Sequence, residues 1–341
     1  MSGDGSRLWP IDPRTSVKIG AGFAIAIVLV YLLGAVIGWE ETIRRLAAAD
    51  LRWVAVACLS TLLCLAAWAK TWQIVLEAID ISVPYRELIV TFYAATFANY
   101  VTPMGQAGGE PFIAYILARD TEASYEESLA SVVTADLLRL LPFFSVGLFG
   151  LGYLLFTAAL PTGTEVFAAL LVALAIGLPA VIVALWLYRG RVKNGILRAL
   201  LPITSRTNRF TIEGVESRIE HLYESVELIA DAPRALLAAV GFAYLGWILF
   251  ALPLYFSGLA LGLPVPLLLV CFLVPVTVIA GSTPLPGGLA AIEGTLIALL
   301  AALVAFSANE ALAVTTVYRL TSYWFVIGVG GLAAFWVLAR A

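Results

Sequence analysis

The sequence predicts an all-α, polytopic membrane protein, on three observations. Of 341 residues, 62% are hydrophobic and 13% charged, with mean hydropathy +0.97. Soluble domains carry about 25% charged residues, so few positions of this chain face water. The apolar residues are gathered into long runs, and at about 20 residues per crossing they provide for roughly eight helices. Runs such as Ile182–Leu187 lack the alternation of a lipid-facing strand, and lipid otherwise admits only helices as spanning structures.

The first 15 residues are polar, with Arg7, Arg14 and Lys18 leading into an apolar run. That run, 17–38, is long for a signal-peptide core and reads as an uncleaved first span. A charged segment containing Glu40, Glu41, Arg44 and Arg45 follows, then a second span over 52–76 that contains Lys70. The next element, 86–118, is two short apolar stretches interrupted by Thr102-Pro103-Met104-Gly105-Gln106-Ala107-Gly108-Gly109-Glu110. Neither stretch is long enough to cross alone. Spans over 129–157 and 165–188 come next.

Residues 189–233 form the one sizeable polar segment, and its second part steps Ile212, Val215, Ile219, Leu222, Val226, Ile229, the period of an amphipathic helix. Eight Lys and Arg lie in 189–234 and none in the loops at 158–164 and 260–265, which places this segment in the cytoplasm. The second half repeats the earlier design. A span over 234–261 leads to an apolar stretch, 264–281, broken at Gly281-Ser282-Thr283-Pro284-Leu285-Pro286-Gly287-Gly288. A second stretch, 289–306, and a long span, 311–339, complete the chain.

The two breaks are related. Pro103 precedes Glu110 by seven residues, and Pro286 precedes Glu293 by seven. Arg139 and Arg319 then lie in the long helices that follow, 29 and 26 residues beyond those carboxylates. Counted from a cytoplasmic 189–233, the two units have opposite orientation. One transmembrane domain thus contains repeat one (about 86–157) and repeat two (about 264–340), two re-entrant hairpins in an inverted repeat. Gly/Pro-interrupted segments at matching places in two halves point to a substrate site at the midplane, since irregular backbone at that depth must be buried in protein or line a cavity.

A charge at a helix centre costs roughly 2.5–3.5 kcal/mol on insertion scales, so the intramembrane charges require partners. Glu110 with Arg139 and Glu293 with Arg319 are the natural pairs, and Asp136, three residues before Arg139, shares its face. Such pairs serve as structural pins or as a substrate path. Arginine's planar fork suits phosphate, and half-helix N-termini suit anions. The candidate substrate-binding residues are therefore Glu110, Asp136, Arg139, Glu293 and Arg319, with Thr102, Gly108, Gly109, Thr283, Gly287 and Gly288 at the breaks. Trp68, Trp72, Tyr318, Tyr323 and Trp324 read as interfacial or packing aromatics. Lys70 reads as a snorkelling or interfacial residue.

Other chemistries have no footing. A net charge of −3 argues against nucleic acid. His221, the one histidine, lies in the polar segment, and Cys58, Cys64 and Cys271 stand in apolar runs as small hydrophobes, so no metal site, cofactor or catalytic residue is expected. No phosphate-binding glycine loop or nucleophile elbow occurs, and the chain is not expected to be an enzyme.

The Thr102-Pro103…Gly108-Gly109-Glu110 element, the Pro284-Leu285-Pro286-Gly287-Gly288…Glu293 element and the Arg319 helix resemble the flippase-like integral membrane family, the lysylphosphatidylglycerol synthase transmembrane region. The resemblance covers about 15–340. It implies eight spanning helices with two re-entrant elements, residence in the cell membrane, and movement of a polar-headed lipid between leaflets. The lipid would be a phospholipid or a polyprenyl- or dolichol-phosphate-linked sugar. Glu110, Glu293 and Arg319 match the family's positions. Members often carry an adjacent Glu-Arg pair where this chain has Asp136-Leu137-Leu138-Arg139. The synthases' soluble aminoacyl-transferase domain has no counterpart here. Two other readings fit the residues: an accessory or scaffold subunit with a membrane glycosyltransferase as partner, and an intramembrane enzyme acting on lipid-linked sugars.

Overall fold

The computed structural model describes residues 37–78, 80–102, 116–118, 125–157, 165–204, 232–283 and 285–340, with Ala24, Val28, Tyr31, Leu32, Ala35, Ala114, Glu220 and Glu227. The expected first span, the tip of the first break (including Gly108, Gly109 and Glu110), His221 and most of the expected amphipathic helix lie outside them. The described residues form helices and no strand. In chain order these are α1 (Trp39–Ala47), α2 (Leu51–Glu77), α3 (Tyr85–Val101), α4 (Tyr125–Thr157), α5 (Glu165–Leu187), α6 (Arg189–Thr204), α7 (Pro233–Ala260) and α8 (Leu267–Ala280). After a 3₁₀ turn (Pro286–Gly288) come α9 (Ala291–Val304), α10 (Ala308–Arg319), a π-helical turn (Leu320–Trp324) and α11 (Phe325–Ala339).

Six helical runs are long and apolar enough to cross a membrane: Leu51–Glu77, Ser131–Thr157, Glu165–Leu185, Pro233–Ala260, Pro286–Val304 and Ala308–Val337. Their outward faces carry large exposed apolar side chains, among them Phe156, Leu237, Leu332 and Phe335. In water such a surface would aggregate; in a bilayer it is wetted by lipid chains. The protein is a multi-pass membrane protein. One of the six runs, Pro286–Val304, reaches its length only across a break, because Gly287, Gly288 and Ala290 all have positive φ. Its regular part, α9, has 14 residues, as does α8. At 1.5 Å per residue each extends about 21 Å, short of the roughly 30 Å hydrocarbon core. α3, with 17 residues, ends at Thr102, where Pro103 forbids continuation.

The frame is the antiparallel pair α2–α7, held by three bonds along its length. The Asp50 amide donates to the Ala260 carbonyl (2.8 Å), the Ser60 hydroxyl to Leu249 (2.8 Å) and the Thr71 hydroxyl to Ala239 (3.3 Å). The Ser60 bond has a local cause. Pro253 has no amide hydrogen to give to the carbonyl four residues earlier, which is Leu249, and Ser60 supplies the missing donor. Asp50 caps α2 through Arg52 N (2.9 Å). α11 packs on α3 and α4 on α8, enclosing a core of Trp68, Trp72, Phe92, Trp247, Phe272 and Tyr318. α6 is tied to the rest of the polar segment by Lys193–Glu220 (2.8 Å) and Arg189–Glu227 (3.8 Å).

Candidate functional site

The second break is built around a buried ion pair. α8 ends at Gly281, and the chain turns through Pro286–Gly288 before α9 begins. Glu293 falls in the first turn of α9, where the helix N-terminus favours a negative charge. Beyond the other end of α9, Ser307 and Glu310 form a capping box that starts α10. Arg319 is that helix's last residue, where a positive charge suits the C-terminus. Arg319 Nε donates to Glu293 Oε1 (2.6 Å) and Nη2 to the Gly287 carbonyl (3.0 Å). Glu293 is 5% exposed and Arg319 7%. The second carboxylate oxygen, Oε2, and the Thr283 hydroxyl are buried with no hydrogen-bond partner among the described residues.

Aromatic rings close the site. The Tyr323 ring lies beneath the Arg319 guanidinium at 4.3 Å and stacks on Tyr100 (5.2 Å), whose carbonyl accepts the Tyr323 hydroxyl (3.4 Å). A desolvated contact of this kind contributes up to about 2 kcal/mol. The π turn begins immediately after Arg319, and it brings Tyr323 under its own helix's arginine. Single π turns inside helices are frequent at functional sites. The hydroxyl of Thr61, on α2, donates to the Thr321 carbonyl within this turn (3.0 Å).

A second pair lies farther along α2. Arg139 Nη2 donates to Asp136 Oδ1 (2.5 Å), and the same oxygen accepts the Trp72 indole N–H (3.0 Å). The guanidinium stands over Trp68 (4.9 Å) and Phe92 (5.8 Å), while the Arg139 carbonyl takes the indole N–H of Trp247 (2.9 Å). Side-chain exposure is 16% for Arg139 and 14% for Asp136, so this pair is less enclosed than Glu293–Arg319. Thr61, Trp68 and Trp72 form one stripe of α2, at spacings of seven and four. Seven residues advance a helix by roughly 10 Å, so one face of α2 meets the turn beside the first pair and, a short distance on, the second pair itself.

Of the residues expected from sequence, the structure brings Glu293, Arg319 and Gly287 into one cluster and Asp136 and Arg139 into another. Gly288 packs against Gly281 and Ile292 at the same turn, and Thr283 is buried there. Thr102 ends α3 with its hydroxyl on the Ala98 carbonyl (2.7 Å). The expected partner of Arg139, Glu110, lies outside the described residues, and Asp136 is the partner seen. Trp68, Trp72, Tyr318 and Tyr323 are buried, and three of these four contact the ion pairs; Trp324 is exposed. Lys70 donates to Gln73 (2.7 Å) and stands 5.5 Å from the Tyr85 ring. Cys58, Cys64 and Cys271 are free thiols. Thr61 and Tyr100 were not among the expected site residues. Tyr100 could have been marked by its place two residues before the Thr102-Pro103 break, whereas nothing in the local pattern distinguishes Thr61.

A family model described as the lysylphosphatidylglycerol synthase TM region matches residues 19–330, a stretch that includes every helix of both pairs. The chain belongs to that family. Curated relatives of this chain are named UPF0104 membrane proteins. One from Methanothermobacter thermautotrophicus is 28% identical over 321 residues, covering 92% of each chain. A second from the same organism is 25% identical, covering 92% of this chain and 91% of its own. One from Pyrococcus horikoshii is 26% identical, covering 90% of this chain and 94% of its own.

Proposed function

We propose that this chain moves a polar-headed lipid, anionic or sugar-bearing, between the leaflets of a cell membrane. One observation carries the reading: a Glu–Arg pair, each member more than nine-tenths buried, sits at a broken helix with one carboxylate oxygen that has no partner among the described residues. A purely structural pin would be expected to satisfy both oxygens, because an orphaned buried acceptor costs about 1–3 kcal/mol. An open acceptor beside a guanidinium is a place for a ligand that brings both a negative group and hydrogen-bond donors, as a phosphate with hydroxyls or an amine does.

In this reading α8, the turn and α9 form one re-entrant hairpin with Gly287 and Glu293 near its tip. Its inverted counterpart is expected, from the sequence alone, in the segment after α3 with Gly108, Gly109 and Glu110. Arg319 and Arg139 meet the phosphate, Glu293 and Asp136 hold the two guanidinium groups in place, and the lipid's tails remain in the bilayer. No covalent chemistry is required of any residue.

Reconstitution tests it. Purified protein in vesicles containing fluorescent phosphatidylglycerol or a fluorescent prenyl phosphate should make inner-leaflet probe accessible to an impermeant quencher. Arg319→Gln should slow that exchange roughly tenfold or more, the worth of one charge-assisted hydrogen bond of about 1.5–3 kcal/mol. Wild-type vesicles that exchange neither probe faster than protein-free ones would sink the reading.

A further inference from the structure

A groove of about 410 Å³ opens sideways between α4, α7 and α8, walled by Val146 and Phe149, by Tyr244 and Ile248, and by Leu268 and Cys271. It is distinct from both ion pairs, and we propose that it holds one hydrocarbon chain of a bilayer lipid as a resident ligand. The proposal stands whether or not the chain transports lipid.

Four observations carry it. The first is size: the groove lies in the range of small-molecule pockets, about 300–1,000 Å³. The second is depth. Ser145, on its wall, lies near the middle of the run Ser131–Thr157, with roughly 20 Å of helix on either side. At that depth the surrounding solvent is lipid chain.

The third is polarity. The wall's one polar pair is satisfied internally, since the Ser145 hydroxyl donates to the Leu141 carbonyl (2.8 Å) and meets the Tyr244 hydroxyl (2.7 Å). Both hydroxyl hydrogens are thus used within the wall, leaving no free hydroxyl donor for a polar guest. It is also continuous with the lipid-facing surface through Leu141, Leu245, Ile248 and Phe149, all substantially exposed.

The fourth is that the groove is built into the helices. Each wall carries an internal proline close by: Pro142 in α4, Pro253 in α7 and Pro275 in α8. Each removes a backbone bond from its helix. Gly150 holds α4 against α8 just beyond, where a β-carbon would fall 2.3 Å from the Phe272 nitrogen. The helices touch there and part at the groove. Because lipid tails are as apolar as the wall, the hydrophobic effect does not select the occupant. Dispersion contacts across a space that would otherwise stand empty do.

The test uses the full chain in phosphatidylglycerol vesicles containing a trace of phosphatidylcholine with a mid-chain diazirine. After irradiation, adducts mapped by mass spectrometry should concentrate on Val146, Phe149 and Ile248 over Leu237, Leu332 and Phe335, which are the more exposed to lipid. Ala251→Phe, or Cys271→Phe if the first fails to fold, fills the groove. Either should lose the groove adducts while those on Leu332 and Phe335 persist. Adducts spread evenly over all six positions in the wild type would overturn the proposal, and so would groove adducts unchanged in a folded filled variant. Protection of the groove by a second copy of the chain, read as a dimer with no adducts on α4 or α7, would also refute it.

Discussion

Tyr323 lies across Gly287 so closely that a β-carbon on the glycine would fall 2.0 Å from the ring's Cε2. Gly287 also has φ +57°, so two constraints meet at one residue. Gly287→Ala should cost about 1–2 kcal/mol for the left-handed backbone and a further 1–3 kcal/mol for overpacking. Thermal unfolding in detergent measures the sum. Adding Tyr323→Ala should remove the steric part and leave the backbone part; a double variant worse than both singles combined would contradict this geometry.

Removing one member of the Glu293–Arg319 pair leaves the other buried and uncompensated. Glu293→Ala and Arg319→Ala should each destabilise the protein by about 3–5 kcal/mol. Replacing both by methionine should recover most of that loss without restoring lipid exchange. Additive losses in the double variant would show that the two side chains do not act on one another.

Ser60 and Pro253 form a compensating pair. Ser60→Ala strands the Leu249 carbonyl and should cost about 1–3 kcal/mol. In a Pro253→Ala background the restored amide can bond that carbonyl, and the same change should cost much less. A double-mutant cycle on unfolding midpoints reads the coupling; a coupling near zero would mean that the proline is not why the serine is there.

Gly150 meets backbone, not side chain, and backbone cannot rotate away. Gly150→Ala should separate α4 from α8 and lower stability by about 1–3 kcal/mol, whereas Gly152→Ala, with open space around its β-carbon, should be neutral or stabilising. Equal effects at the two positions would contradict the packing.

The long runs were legible because lipid imposes one rule on backbone and composition alike, and the ends of α2, α4, α7 and the joined run α10–α11 fall within a few residues of the apolar boundaries. Glu293 and Arg319 were legible because a charge in an apolar run demands a partner. The π turn was not, since Leu320–Trp324 reads as ordinary helix until its neighbours constrain it. Nor were the inter-helix bonds of Thr61 and Ser60. A hydroxyl in a helix has a partner four residues back in any case, and only packing decides whether a second carbonyl comes within reach. The Asp136–Arg139 pair was legible from its i, i+3 spacing alone, whereas Glu110 lies outside the described residues.

The turn at Leu320–Trp324 also sets a phase. On one side, Arg319 is held toward Glu293; on the other, Gly330 must face α3, because a β-carbon there would fall 2.6 Å from the Tyr93 carbonyl oxygen. A regular helix advances roughly 100° per residue, so an inserted residue rotates everything beyond it by about that angle. Deleting one residue from the turn would straighten the helix and leave either the arginine or the glycine face pointing into lipid. The fold spends one residue to aim two faces of a single helix independently, and the charge it aims is the most deeply buried arginine described.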